Sequence, residues 1–196
     1  MEYQMITISR QYGSGGRLIG AKLAERLQIP FYDKEIIALA AKQSGVSDQF
    51  FAQPEQTGAL LLRDFTGGNA FGLPLGDQVY LAQADVIRTL AQKGPCVIVG
   101  RGAGAALSGM VSRLNVFVYA DIAIRKRRVI EEYGEEAHKI EEYIAAIDKK
   151  RASYFKFYAG VDGRRMENYD LCIDSGRIGI DGTVSTLEAA YKFGCN

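Results

Sequence analysis

The stretch that most limits what this chain can become lies close to its start. Met5-Ile6-Thr7-Ile8-Ser9 is apolar and β-branched, and it runs through Arg10-Gln11-Tyr12 into Gly13-Ser14-Gly15-Gly16-Arg17. Apolar residues then return at helical spacing, as Leu18, Ile19, Ala21, Leu23, Ala24 and Leu27. The first run reads as a strand of roughly residues 3–9, the second as a helix of roughly residues 17–27. Strand, glycine turn and helix in that order make a cradle for phosphate. Glycines let the backbone curl until several N–H groups face one hollow, where side chains would block an anion. The helix aims its positive end at the same hollow. Arg17 adds a full charge on a planar fork suited to phosphate oxygens. The bland alternative is a glycine-rich turn that only joins a strand to a helix.

The loop departs from the Walker A pattern, GxxxxGK[ST]. In direct alignment Gly16 falls where the lysine belongs. Shifted by one residue, Arg17 takes the lysine position and Leu18 takes that of the magnesium-holding hydroxyl. Arg10 or Gln11 stands where the pattern has its first glycine.

A chain of 196 residues suits one α/β domain with a small insertion. The formal net charge of +1 implies no general attraction to nucleic acid or membranes. Cys96, Cys172 and Cys195 have neither metal-binding nor disulfide spacing, and Cys96 and Cys172 read as small core residues. The start shows no basic-then-apolar leader and no apolar run could span a bilayer, so the expectation is a cytoplasmic protein without membrane partners.

After Ile29-Pro30-Phe31-Tyr32, a short second strand, Asp33 stands where a helix N-cap belongs, ahead of residues 34–41. It also stands at a strand's carboxyl end, where open α/β sheets bind ligands. One carboxylate can do both. Residues 43–76 are rich in glycine and read as an irregular excursion, with a short helix at 57–63. They are either a surface loop or a substrate-covering flap. Helical period resumes over 77–92. Cys96-Val97-Ile98-Val99 reads as a buried parallel strand and ends in Gly100-Arg101-Gly102. An arginine so placed meets an anion or pairs with a neighbouring carboxylate.

Residues 114–120 form another strand, and Asp121 caps the helix that carries Arg125, Lys126, Arg127 and Arg128. That cluster spans two helical faces, so only one or two of its members can reach a ligand. His138, the sole histidine, reads as a surface residue. A long helix over 141–157 holds Asp148-Lys149-Lys150-Arg151 and then Tyr154-Phe155-Lys156-Phe157-Tyr158. These cations and rings suit a lid over triphosphate, or stacking on single-stranded nucleic acid. Residues 170–174 read as the last strand, with Ser175-Gly176 as a turn after it. Thr183 to Phe193 reads as the closing helix.

Taken together, several of these runs resemble the cytidylate kinase-like proteins of bacteria. They are Ile6 to Arg17, Ile29 to Glu35, Val97 to Arg101, Lys149 to Tyr158 and Tyr169 to Ser175. The resemblance covers nearly the whole chain. It implies a P-loop NTPase fold: a parallel five-stranded sheet flanked by helices, with an insertion over about 43–92 and a lid over about 149–168. It further implies ATP-dependent phosphoryl transfer to a nucleotide or nucleoside, with Mg2+ as a cofactor and nucleotides as the partners. Oligomeric state stays open, with a homo-oligomer among the options. Residue by residue, Arg10, Gly13, Ser14, Gly15, Gly16, Arg17 and Leu18 would hold the donor phosphates. Asp33 would lie beside the acceptor, and Arg101 would grip the acceptor phosphate. Lys150 and Arg151 would belong to the lid. Arg125 and Arg128 would match the arginine-rich helix after the fourth strand, with Arg125 reaching the donor, and Ser175 to Ile178 would border adenine. Arg17, Asp33, Arg101 and Arg151 are thus the catalytic candidates, and no metal ligand is assigned.

Two departures stand out. Authentic cytidylate kinases carry Gly-Lys-Gly-Thr in the loop, where this chain has Gly15-Gly16-Arg17-Leu18. They carry Gly-Arg-Asp after the third strand, where Gly102 replaces the acid. The alternative function is therefore a degenerate kinase that senses nucleotide without chemistry.

Overall fold

The computed structural model describes residues 4–33, 36, 39, 75–135, 138–160 and 162–194. Five parallel strands form one sheet: β1 (Met5–Arg10), β2 (Phe31–Tyr32), β3 (Cys96–Val99), β4 (Arg113–Tyr119) and β5 (Leu171–Asp174), in the spatial order β2-β3-β1-β4-β5. The helices are α1 (Gly16–Leu27), α2 (Leu75–Lys93), α3 (Ala103–Ala106), α4 (Ile122–Glu131), α5 (Ile140–Ala159) and α6 (Ser175–Phe193). Strands β1, β3 and β4 run together at the centre, and their near-continuous apolar sequence follows from burial on both faces. Alternation along β3 shows it directly. Cys96 and Ile98 join the layer under α2 and α3, while Val97 and Val99 join the layer under α1 and α6.

Helix α1 sits close on the sheet because Gly20 lets it. A Cβ there would meet Val99 Cγ2 at 2.7 Å and Phe31 Cε2 at 3.1 Å. Inside the sheet, Thr7 donates to Asn115 Oδ1 at 2.8 Å, and Asn115 Nδ2 donates to the Asn168 carbonyl at 2.6 Å. This buried polar chain fixes how β1, β4 and the turn before β5 meet.

Several boundaries differ from expectation. Ser175 to Ile178 is helical, not a turn, and α6 begins eight residues before Thr183. A break at Gly179 (φ 73°, ψ 173°) separates its first turn from the rest. Asp174 caps that turn, accepting from the Gly176 N–H at 2.9 Å, and so starts a helix that glycines 176, 179 and 182 disguise in the sequence. Asp121 caps α4 as expected, accepting from the Ala123 N–H at 2.8 Å. The excursion over 43–74, its helix at 57–63 and the helix after Asp33, apart from helical positions 36 and 39, lie outside the described residues. No helix among the described residues is long and apolar enough to cross a membrane. His138 is exposed.

Cys172 is half-buried on the edge strand β5, not in the core. Cys96 is buried, and burial pushes its thiol up to about 12. Brief alkylation of the native protein near neutral pH is expected to leave Cys96 unlabelled in peptide mass spectra, with labelling only after denaturation.

Candidate active site at the carboxyl edge of the sheet

The glycine loop leaves β1 and enters α1 through two left-handed glycines, Gly13 and Gly15, both at φ 79°. Its carbonyls are held from outside. Arg125 Nη1 donates to the Tyr12 carbonyl at 3.2 Å, Arg128 Nη1 to Gly13 at 2.9 Å, and the Ser175 hydroxyl to Ser14 at 2.6 Å. Within one trans peptide plane the C=O and N–H point opposite ways. Pinning the Tyr12 carbonyl towards α4 therefore turns the Gly13 N–H the other way, while the Ser14 N–H is spent on the Gln11 carbonyl at 3.3 Å and the Gly15 N–H on the Tyr133 hydroxyl. Gly15, the N-cap residue of α1, has no side chain to cap the helix. The loop thus delivers the chain to the N-terminus of α1, where the helix's first N–H groups have no partner within the helix.

The basic run of α4 divides by face. Arg125 and Arg128, one turn apart, are buried against the loop, while Arg127 is exposed and Lys126 pairs with Glu141 at 2.6 Å. Helix α5 reaches the loop from the same flank. Asp148 Oδ1 accepts the Tyr12 N–H at 2.7 Å, and Asp148 Oδ2 accepts from Arg125 at 2.6 Å. One turn further, the Arg151 guanidinium lies 5.3 Å from the centre of the Tyr12 ring. Tyr133 and Tyr143 pack edge-on to that ring at 5.8 and 5.9 Å. Burial pushes the Tyr12 phenol above its ordinary range, with Tyr143 and Glu135 adding to it. Burial also raises Tyr133; the Arg128 charge opposes it, and the Gly15 N–H opposes it further.

On the other flank, Arg10 leaves β1 through a slot made by two glycines. A Cβ on Gly16 would meet Arg10 Cβ at 2.7 Å, and one on Gly100 would collide with the Arg10 guanidinium. Arg17 Nε donates to Asp33 Oδ2 at 2.7 Å; Asp33 is buried and Arg17 is exposed. Arg101 sits between Gly100 and Gly102 at φ 58°, left-handed for a side chain that rarely adopts it. Its charge opposes the burial that raises Tyr154 on α5. The Tyr154 hydroxyl donates to Gln83 Oε1 at 3.1 Å, and Tyr158 stacks on Tyr80 at 4.4 Å. The rings of α5 are thus spent largely on α2, though Phe157 is exposed. Lys149 and Lys150 face solvent.

Between the carboxyl ends of β4 and β5 lies an open cavity of about 520 Å³, walled by Gln11, Tyr119, Asp121, Ile124, Asp174 and Arg177 among others. Gln11 joins it to the loop and holds the Ala120 N–H at 3.2 Å. Ser175 lies beneath, bonded to the Ser14 and Tyr119 carbonyls.

The loop fits a polyphosphate at the N-terminus of α1, and Gly13 and Gly15 let it seat against α4 and α6, where Cβ atoms would run into the Arg125 carbonyl and Ile180. Magnesium, which kinases of this fold generally use with ATP, fits poorly. Leu18 is an exposed apolar side chain at the hydroxyl position, and Gly102 supplies no acid. Asp33 is engaged by Arg17, and Asp174 by the start of α6. No group of three acidic, histidine or cysteine side chains converges among the described residues.

The sequence reading singled out the loop, Arg10, Arg17, Asp33, Arg101, Arg125, Arg151 and Ser175, and all lie along this one edge. It missed the role of Asp148, whose sign is the anomaly in Asp148-Lys149-Lys150-Arg151, and the rings of Tyr12 and Tyr133.

Comparison with known proteins agrees with this geometry. The chain is 24% identical to the cytidylate kinase of Methanothrix thermoacetophila over 189 residues, covering 96% of this chain and 98% of that one. The crystal structure of an uncharacterized protein from Eubacterium ventriosum superposes with a TM-score of 0.74 at 26% identity, covering 96% and 98%. Shikimate kinase from Bacteroides thetaiotaomicron shares the fold, at a TM-score of 0.54 and 14% identity over 94% and 96%. The model of the cytidylate kinase-like family matches residues 5–177, and with the loop, the strand order and the arginine-lined edge in agreement, the chain belongs to that family.

Proposed function

We propose that the protein transfers the terminal phosphoryl group of ATP to a nucleotide or nucleoside. The observation that carries this reading is the loop itself, whose carbonyls are held by Arg125, Arg128 and Ser175 where it enters the N-terminus of α1. Phosphoryl transfer needs mainly positioning and neutralised charge, and both are available along this edge. The triphosphate would lie on the loop, with adenine in the cavity beside Gln11 and Ile124. Arg17, steered by Asp33, would face the transferred group. Arg101 would hold the acceptor phosphate, and the 149–168 segment, with Arg151, would act as the lid that keeps water out.

The second reading is a nucleotide sensor without chemistry. It is favoured by Leu18 and Gly102, which remove a hydroxyl and an acid that kinases of this kind use. Thermal shift with ATP, together with a labelled-ATP panel of nucleotides and nucleosides, separates the two. Stabilisation with transfer supports the kinase, and stabilisation without transfer to any acceptor supports the sensor. No stabilisation by any nucleoside triphosphate would sink both.

In the kinase reading Arg17→Ala lowers turnover by about a hundredfold or more, the scale of losing one donor to developing charge. Its stability cost is about 1–3 kcal/mol, because solvent screens the exposed guanidinium while the buried Asp33 carboxylate loses a donor. Unchanged turnover would remove Arg17 from the chemistry.

A further inference from the structure

We infer that this site binds its triphosphate without a divalent cation, with the Arg10 guanidinium supplying positive charge between β1 and β3. The inference rests on the nucleotide-binding reading above. Three observations carry it.

The first is the slot. The Arg10 stem packs on Gly16, the first residue of α1, and its guanidinium lies against Gly100, the first residue past β3. A methyl group at either glycine would occupy the side chain's own space. Gly100 also holds φ 78°, so its turn is shaped as well as vacated for the arginine. Two glycines from distant segments thus cut a path for one cation. The path runs from the loop to the turn that carries Arg101.

The second is position. Strands β1 and β3 pair from Met5–Cys96 to Ile8–Val99, and the Gly100 N–H continues the ladder to the Ile8 carbonyl at 2.9 Å. Arg10 therefore emerges at the crevice between the two strand ends, directly before the helix whose N-terminus faces the phosphates. Ligands of open parallel sheets bind in such crevices. A cation held there would lie beside a triphosphate seated on the loop.

The third is the donor set. The side chains that would recruit a metal at that crevice are Leu18 and Gly102 here, and the nearby carboxylate, Asp33, is already bonded to Arg17. Hard cations need several oxygen ligands. The crevice is lined by guanidinium groups instead, whose planar forks match phosphate oxygens. Magnesium in solution would then compete with Arg10 for the same oxygens, so its effect on affinity has a predicted sign.

Isothermal titration of ATP into the full chain, at matched ionic strength, tests this in EDTA and in excess magnesium. Affinity in EDTA is expected to equal or exceed that with magnesium. Arg10→Ala is expected to weaken binding in EDTA by about tenfold or more, the scale of a lost charge-assisted contact. Arg10→Lys, which keeps the charge but not the fork, is expected to fall between. Circular dichroism of each variant checks folding, and the metal dependence of the unaltered chain decides the matter if Arg10→Ala does not fold. Binding that magnesium tightens by about tenfold or more overturns the inference and leaves the nucleotide site standing. Unchanged binding by Arg10→Ala makes Arg10 a structural residue and also overturns it. Absence of binding under both conditions removes the nucleotide reading, and this inference with it.

Discussion

Gly13→Ala is expected to lower the unfolding free energy by about 2–4 kcal/mol and to abolish stabilisation by ATP. Two costs combine. The residue holds φ 79°, which a side chain rarely adopts. Its new Cβ would also stand 2.8 Å from the Arg125 carbonyl and 2.9 Å from Val129 Cγ2. The carbonyl is helical backbone and cannot swing aside, so α4 or the loop has to move. Either movement pulls Arg128 from the Gly13 carbonyl and reshapes the entry to α1. In a chain of this size the midpoint falls by about 5–15 °C. Gly109→Ala is the control. Gly109 has φ 73° with open space around it, so it isolates the backbone cost at about 1 kcal/mol. A Gly13→Ala protein no weaker than Gly109→Ala, and still stabilised by ATP, would contradict the packing described for the loop.

Asp148→Ala is the second large effect, expected at about 2–4 kcal/mol in denaturant titrations. The carboxylate accepts the Tyr12 N–H and the Arg125 guanidinium together, and the Arg125 side chain is only 10% exposed. Removing the acid leaves that cation facing a single carbonyl, at 3.2 Å, and costs more than the pair contributes. Asp148→Asn keeps an acceptor for the Tyr12 N–H but loses the charge, so it should fall between Ala and the unaltered protein. Equal stability of all three would show that α5 does not brace the loop.

How far the chain could be read in advance follows from how local each signal is. The β3 bounds, Cys96–Val99, came straight from four apolar residues ended by glycine. The glycine loop was legible because left-handed backbone is written in residue type. The start of α6 was not, because Gly176, Gly179 and Gly182 mask a turn that Asp174 caps. Asp148 was hidden for a different reason: the N–H it accepts lies 136 residues away in sequence. Within α4 the resemblance pointed to Arg125 and Arg128, but not to what holds them, since the Tyr12 and Gly13 carbonyls they bond are brought there by the tertiary fold. The aromatic run on α5 could be read two ways until Tyr80 and Gln83 were found beside it.

The Ser175 hydroxyl and the Ser14 carbonyl are separated by 161 residues, and the Lys22–Asp181 pair by 159. Such distant partners make a high-contact-order architecture, slow to nucleate compared with a helical bundle. A ribosome adding about 5–20 residues per second needs on the order of ten seconds or more between the two serines. Through that interval the nascent glycine segment has no outer brace on its third carbonyl. The glycine loop is therefore among the earliest parts of the polypeptide to be synthesised and among the last to be completed.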